Sequence, residues 1–132
     1  TPYKHSMYRP MLYVDINDVI VAFENFAKKI LNNEIKKENN SLDHIVNVLY
    51  PEPITVLELA EIVKNTIITI SDGKLKPEIK VEDKGIPHLF SKCEKTRIRV
   101  DISKASKLLG LNKLVSPKES IKRIICSKLS EA

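Results

Sequence analysis

Short apolar runs alternate with segments of helical periodicity, and this alternation constrains the fold more than any other feature of the sequence. The apolar run at residues 12–14 stops at polar residues and predicts a short strand. A helix is expected to follow, because apolar side chains then recur at steps of three and four residues, as at Val19, Phe23 and Phe26. Asp18 is placed to cap the first free amide groups of this helix.

A second strand and helix repeat this order. The polar tract at residues 32–41 predicts an exposed loop, and the apolar residues 45–48 predict another short strand. Thr55 and Glu58 then match the capping box, in which each residue binds the other's backbone amide. We therefore expect a helix that starts at Thr55 and closes at the turn signal of residues 71–73.

The next part of the chain predicts extended pieces and a short helix. Apolar and charged residues alternate at residues 79–81 and again at 98–100, which is typical of short strands. Asp101 or Ser103 is placed to cap a two-turn helix after them. Gly110 stands where a left-handed residue would end that helix.

The last helix has the clearest start signal. Ser116 is the expected cap, Pro117 the first helical residue and Glu119 the reciprocal acceptor. The order of elements therefore predicts an α/β or α+β fold, with a small, mainly parallel sheet of short strands and about four helices.

Size and composition limit the chain to one domain, residues 1–132. Its 132 residues are 42% hydrophobic, enough for one modest core. No stretch of about eighteen apolar residues is present, so we expect neither a membrane span nor a secretory signal. We therefore expect a cytoplasmic location. The first residue is Thr1, and the start of the chain looks like the middle of a longer protein.

Charge favours anionic partners without identifying one. Lys and Arg total 22 against 17 acidic residues, a net charge of +5, but the lysines are spread along the chain and interleaved with Glu. Nucleic acid is therefore a less favoured partner. A metal site has no support either, because the cysteines and histidines lack ligand spacing. These residues are Cys93, Cys126, His5, His44 and His88.

Four sequence blocks follow one another along nearly the whole chain. They are R-P-M-L-Y-V-D at residues 9–15 with D-V at 18–19, V-N-V at 46–48 with P-I-T-V-L-E-L-A at 53–60, R-V-D-I-S-K-A at 99–105 with L-L-G at 108–110, and S-P-K-E-S-I at 116–121. In this order the blocks resemble the carboxyl-terminal substrate-binding region of the extended short-chain dehydrogenase/reductase family. That family includes UDP-glucose 4-epimerase and the sugar-nucleotide 4,6-dehydratases.

The resemblance implies a function and a site. It implies a region that covers a UDP- or dTDP-sugar and supplies arginines to its diphosphate, in a parent enzyme whose N-terminal Rossmann half holds NAD(P) and is absent from this chain. Arg9 corresponds to one diphosphate ligand, and either Arg97 or Arg99 to the second. Tyr13 is a weaker candidate for a substrate contact.

The residue types agree with this role and also permit another. A guanidinium group can donate two parallel hydrogen bonds to a diphosphate, where lysine offers a mobile point charge. In the alternative, structural role, each arginine pairs with a carboxylate that is near in sequence. The pairs would be Arg9 with Asp15 or Asp18, and Arg97 and Arg99 with Glu94 or Asp101.

Redox catalysis by this chain alone is not expected. A cofactor pyrophosphate usually binds a G-x-G-x-x-G turn, and none of the three glycines fits that pattern. No tyrosine has a lysine four positions later, as the family's catalytic Tyr-x-x-x-Lys requires. Two other functions remain open: an independent basic α/β module that binds nucleic acid or a protein partner, and a structural domain that forms a homodimer.

Overall fold

Four α-helices carry most of the regular structure in residues 1–35 and 45–130, the part of the chain that the computed structural model describes. A two-stranded sheet and a 3-10 helix complete the elements. In chain order these are β1 (Pro10–Met11), α1 (Ile16–Leu31), β2 (Ile54–Thr55), α2 (Val56–Ile70), the 3-10 helix (Glu94–Arg97), α3 (Ser103–Leu109) and α4 (Pro117–Ser130). The mixed fold is α+β in kind, and the predicted number of helices is found among the described residues.

The sheet differs from the prediction. β1 and β2 are antiparallel, with Pro10 opposite Thr55 and Met11 opposite Ile54. In the described chain, parallel pairing is limited to one isolated bridge between Tyr3 and Glu82. The expected strands do not pair with one another in the structure. Apolar runs and apolar alternation indicate which face of a segment is buried, but they do not identify a backbone hydrogen-bonding partner. The segments concerned are 12–14, 45–48, 79–81 and 98–100.

The cap of α1 is Asp15, so the prediction of Asp18 as the cap was wrong. Asp15 Oδ1 accepts a hydrogen bond of 2.9 Å from the backbone N–H of Asn17. Asp18 lies within the first turn, where its Oδ2 accepts a 2.8 Å hydrogen bond from the N–H of Val115. Either aspartate has the side chain of a cap residue. Asp18 binds the distant Val115 instead, and Asp15 caps the helix. Most of the expected loop at 32–41 lies outside the described residues.

The predicted starts of α2 and α4 are confirmed. Thr55 Oγ1 accepts a 3.2 Å hydrogen bond from Glu58 N–H, while Glu58 Oε2 accepts one of 2.9 Å from Thr55 N–H. Ser116 and Glu119 make the same reciprocal pair at the start of α4, at 3.3 and 3.1 Å. At α3, the prediction of Asp101 or Ser103 as the cap was wrong, because the cap residue is Ile102, which makes no side-chain cap hydrogen bond. Asp101, one residue earlier, accepts a 2.8 Å hydrogen bond at Oδ1 from the N–H of Ser103, the first residue of the helix.

The buried core is small and lies around α3. α1 packs against α3, and α2 packs against α4. Asn25 Nδ2 donates a 2.8 Å hydrogen bond to the carbonyl of Leu109 and so ties α1 to the end of α3. The core residues are Ala22, Ala105, Leu109, Leu111 and Leu114. No large side chain in the described chain is completely buried, so stability depends on a few contacts.

Gly110 ends α3 in the left-handed conformation, as the sequence predicts. Its φ is +67°, and an added Cβ would meet no atom within 4 Å. Gly110→Ala is therefore expected to lower the free energy of unfolding by about 1 kcal/mol through backbone strain alone. Urea denaturation measures this change. Gly110→Asn is the matched control and should lose less, because asparagine tolerates this conformation; equal stability of Gly110→Ala and wild type would contradict the argument.

No helix within residues 1–35 and 45–130 is both long and apolar enough to cross a lipid bilayer.

Candidate functional site

Arg9 lies beside the N-terminal end of α2. β1 begins at the next residue and pairs with β2, which runs directly into α2. The carbonyl of Met7, two residues before Arg9, accepts a 3.0 Å hydrogen bond from the N–H of Leu57, which lies in the first turn of α2. The hydrogen bond of Met7 before Arg9 and the strand pairing of Pro10 after it therefore fix the backbone of Arg9 at this end of the helix.

The 3-10 helix reaches the same end of α2. Lys95 within it forms an ion pair with Glu58, which belongs to the first turn of α2. Arg97 is the last residue of the 3-10 helix. The segments that carry Arg9 and Arg97 therefore both contact the N-terminal end of α2, and Arg99 follows two residues after Arg97.

The side chains of Arg9, Arg97 and Arg99 belong to exposed residues. Among residues 1–35 and 45–130, none of the three guanidinium groups has a carboxylate within 4.0 Å. The carboxylates proposed as structural partners make other interactions. Asp15 binds Arg123, Asp18 binds Val115, Asp101 binds Ser103, and Glu94 binds Ser91. The alternative role for the three arginines is therefore not what the structure shows.

Tyr13 is half-buried and makes its hydrogen bonds with Met11 and Tyr50. Its hydroxyl donates to the sulfur of Met11 at 3.4 Å, and its carbonyl accepts a 2.6 Å hydrogen bond from the N–H of Tyr50. Burial raises the pKa of the Tyr13 phenol, so the group stays neutral. These contacts give Tyr13 a packing role in the described chain.

Two amides in the first turn of α2 already have hydrogen-bond partners. The N–H of Leu57 donates to Met7, and the N–H of Glu58 donates to the Thr55 hydroxyl. Helix N-termini bind phosphates through such groups when they are unused. At this end of α2, positive charge for an anion comes from the arginine side chains.

A shallow pocket of about 420 Å³, largely open to solvent, lies next to the arginines along the chain. Tyr8 lines it from one side and the segment 88–94 from the other. Arg9 directly follows Tyr8, and the 3-10 helix begins at Glu94. We call this space the Tyr8 cavity. Arg9, Tyr13, Arg97 and Arg99 do not themselves line it.

Asp15 joins the start of α1 to the start of α4 through hydrogen bonds that the sequence did not predict. Asp15 is 5% exposed and accepts hydrogen bonds at Oδ2 from Ser120 and Arg123. The hydrogen bond from Arg123 is the main cause that lowers the Asp15 pKa to about 2. Ser120 and Arg123 are three residues apart and share a helix face. That spacing was the available signal, but it does not name the partner 105 residues away.

One face of α1 remains uncovered in the described chain. The helix itself is confirmed, but Phe23, which was expected on its packed side, is 71% exposed. We define the α1 apolar face by its exposed residues at helical spacing. They are Ile16, Ile20, Phe23, Phe26 and Ile30. Exposed apolar side chains at this spacing can contact another protein surface or a ligand.

The three glycines do not lie in a cofactor-binding turn of the G-x-G-x-x-G kind. Gly73 follows the end of α2, Gly85 lies in a loop and Gly110 ends α3, so no glycine turn leads from a strand into a helix. Within the described ranges, no group of three or more His, Cys, Asp or Glu side chains is placed to hold a metal ion.

Comparison with known proteins identifies no relative: no family model, no curated protein and no solved structure matches the chain.

Proposed function

We propose that this chain binds a sugar nucleotide, a UDP- or dTDP-sugar, as the substrate-binding region of an NAD(P)-dependent epimerase or dehydratase. The observation that supports the proposal is that the segments of Arg9 and Arg97 both contact the N-terminal end of α2, while both arginines are exposed and have no carboxylate partner among the described residues. An exposed guanidinium whose donors are not occupied can bind two oxygens of a diphosphate at once.

The positions of the four sequence blocks support the same proposal. They coincide with β1 and the start of α1, with the start of α2, with α3 and its terminal glycine, and with the start of α4. The blocks therefore organise the elements that place the arginines. Helix-capping patterns of this kind are common, so the function rests on the arginines and the blocks provide their setting.

The α1 apolar face supports the second part of the proposal, a covering Rossmann half. Burial of apolar surface stabilises a contact by about 25 cal/mol per Å², and Phe23 and Ile16 are 71% and 66% exposed. The dinucleotide-binding half of the parent enzyme is the proposed occupant. It would supply the Gly-rich cofactor loop and the Tyr-x-x-x-Lys pair, since this chain's own glycines do not form a cofactor site.

The first test is the Arg9→Ala variant. Its affinity for UDP-glucose and dTDP-glucose, measured by calorimetric titration of the full chain, is expected to fall about tenfold to a hundredfold, because charged hydrogen bonds contribute roughly 1.5–3 kcal/mol. Arg9→Lys should lose part of this affinity, since lysine keeps the charge but not the paired donors.

Lys74→Ala is the matched control. Lys74 is exposed and follows the opposite end of α2, about 22 Å away along a helix of 15 residues. Its removal should leave the affinity unchanged. Equal affinity of Arg9→Ala and wild type would exclude Arg9 from the site. Tight binding of a single-stranded oligonucleotide that weakens steeply with salt would instead favour the basic binding module.

A further inference from the structure

A pocket of about 400 Å³ lies between α2 and α4. It is less open to solvent than the Tyr8 cavity, and its volume falls within the range of roughly 300–1,000 Å³ that ligand pockets occupy. Ile62 and Ile70 of α2 contribute apolar surface, and Thr66 contributes a hydroxyl. Lys118 and Lys122 of α4 line the opposite side. We call this space the α2–α4 pocket; among the described residues, none that lines it is acidic.

Thr66 presents a polar group to this pocket without a hydrogen-bond partner in the protein. The residue is only 9% exposed and lines the pocket from α2. The hydroxyl of Thr69, three residues later, donates a 2.8 Å hydrogen bond to the carbonyl of Asn65. Within residues 1–35 and 45–130, the Thr66 hydroxyl makes no such bond. Because a buried polar group is costly when it is left unpaired, water or a ligand oxygen in the pocket has to supply the partner.

Two like charges stand on the α4 side of the pocket. Lys118 and Lys122 are exposed and four residues apart, so their side chains share one face of the helix. In the part of the chain that the structure describes, neither ammonium group has a carboxylate within 4.0 Å. Like charges at this spacing destabilise a helix. An anion bound between the two lysines would remove that repulsion.

We propose that the α2–α4 pocket binds a monocarboxylate with a short apolar chain. The carboxylate lies between Lys118 and Lys122 and accepts a hydrogen bond from the Thr66 hydroxyl, while the chain covers Ile62 and Ile70. The two oxygens of a carboxylate can meet two separate ammonium groups, each of which is a point charge. An inorganic anion would leave the isoleucines uncovered, and an uncharged apolar ligand would leave the lysines unpaired.

The pocket lies away from the proposed diphosphate site. Its residues on α2 begin at Ile62 and end at Ile70, about 9–21 Å along the helix from the N-terminal end that the segments of Arg9 and Arg97 contact. A carboxylate in the α2–α4 pocket therefore goes beyond the proposed function, and its binding does not depend on the sugar nucleotide.

The test titrates the full chain with octanoate and follows the methyl NMR signals of its isoleucines. Octanoate is expected to shift the signals of Ile62 and Ile70. It should bind at least about tenfold more tightly than butanoate, because its four additional CH₂ groups bury apolar surface. Octylamine, which carries a positive head on a chain of the same length, should leave both signals unchanged.

Substitutions of the polar groups test the head of the ligand. The double variant Lys118→Ala with Lys122→Ala is expected to weaken octanoate binding about tenfold, and Thr66→Val about threefold to tenfold. Lys122→Arg keeps the charge and should retain most of the affinity. Lys28→Ala is the matched control and should change nothing, since Lys28 is an exposed residue of α1, which packs against α3. The exposed lysines can be removed without disturbing the core, so the test does not depend on the folding of Thr66→Val.

The α2–α4 pocket is excluded as a carboxylate site if octanoate binds wild type and the double lysine variant equally, or if butanoate binds as tightly as octanoate. Shifts confined to Ile20 and Ile30 would place octanoate on the α1 apolar face and would also overturn the inference, as would the lack of any shift. UDP-glucose is the independent readout: its affinity should be the same in the double lysine variant and in wild type, so the two sites succeed or fail separately.

Discussion

Replacing Leu109 by alanine is expected to lower the free energy of unfolding by about 3 kcal/mol and the melting temperature by on the order of 10 °C. Leu109 is 5% exposed and belongs to the buried cluster with Ala22 and Ala105. Its carbonyl also accepts the hydrogen bond from Asn25 that ties α1 to α3. Alanine would leave a cavity beside Ala22 and Ala105, whose short side chains cannot refill it.

Leu75→Ala is the control for this prediction, measured by the same urea and thermal denaturation. Leu75 is 48% exposed and follows α2, so its truncation should change stability by no more than about 0.5 kcal/mol. A similar loss in both variants would show that α3 does not form the centre of the core.

The helix boundaries were predictable because their determinants are local. The pairs Thr55–Glu58 and Ser116–Glu119 each join residues three positions apart, and both form in the structure. Gly110 likewise acts through its own backbone angle. The start of α1 was one exception, since Asp18 is held by Val115, 97 residues away, and Asp15 takes the cap. The start of α3 was another, since its cap is Ile102.

The sheet was not predictable for the opposite reason. A strand exists only with a partner, and the partner is distant in sequence. Residues 12–14 and 45–48 were expected to be strands, yet the backbone link found near them is one hydrogen bond between Tyr13 and Tyr50. The two-residue pairing of β1 with β2 instead begins at Pro10, which the apolar run did not include.

The candidate site shows the same division. Arg9, Arg97 and Arg99 were nominated from residue type and sequence blocks, and the structure leaves all three exposed. The segment of Arg97 is held at the start of α2 by the ion pair of Lys95 with Glu58, which are 37 residues apart. The segment of Arg9 is held there by the pairing of β1 with β2. The Tyr8 cavity also joins two separate segments. Sequence therefore identified the charged groups but not the segments that surround them in the fold.

Replacing Asp15 by alanine is the second large change, with an expected loss of about 2–3 kcal/mol in the free energy of unfolding at pH 7. The substitution removes the cap of α1, which contributes about 1 kcal/mol. It also removes the charged hydrogen bond from Arg123 and the one from Ser120. Because the Arg123 side chain is 48% exposed, water can solvate it in the variant, which keeps the loss below that of a buried pair. Urea denaturation measures the change, and Asp15→Asn, which keeps an oxygen to accept the cap hydrogen bond, should lose less.

The stabilisation that the charged Asp15 carboxylate gives the fold is expected to disappear in acid. The hydrogen bond from Arg123, followed by smaller ones from Ser120 and Asn17, holds the pKa of Asp15 at about 2 in the folded chain, against an ordinary value of 3.8. The folded state therefore binds this proton less readily than the unfolded state, so the stabilisation is complete above about pH 4 and is lost as the pH falls towards 2. The difference in pKa corresponds to about 2 kcal/mol, and salt should reduce it because Arg123 reaches solvent. Denaturation of wild type and Asp15→Asn at several pH values measures the difference directly; a difference that stays constant from pH 7 to pH 2 would show that the Asp15 carboxylate does not stabilise the fold through its charge.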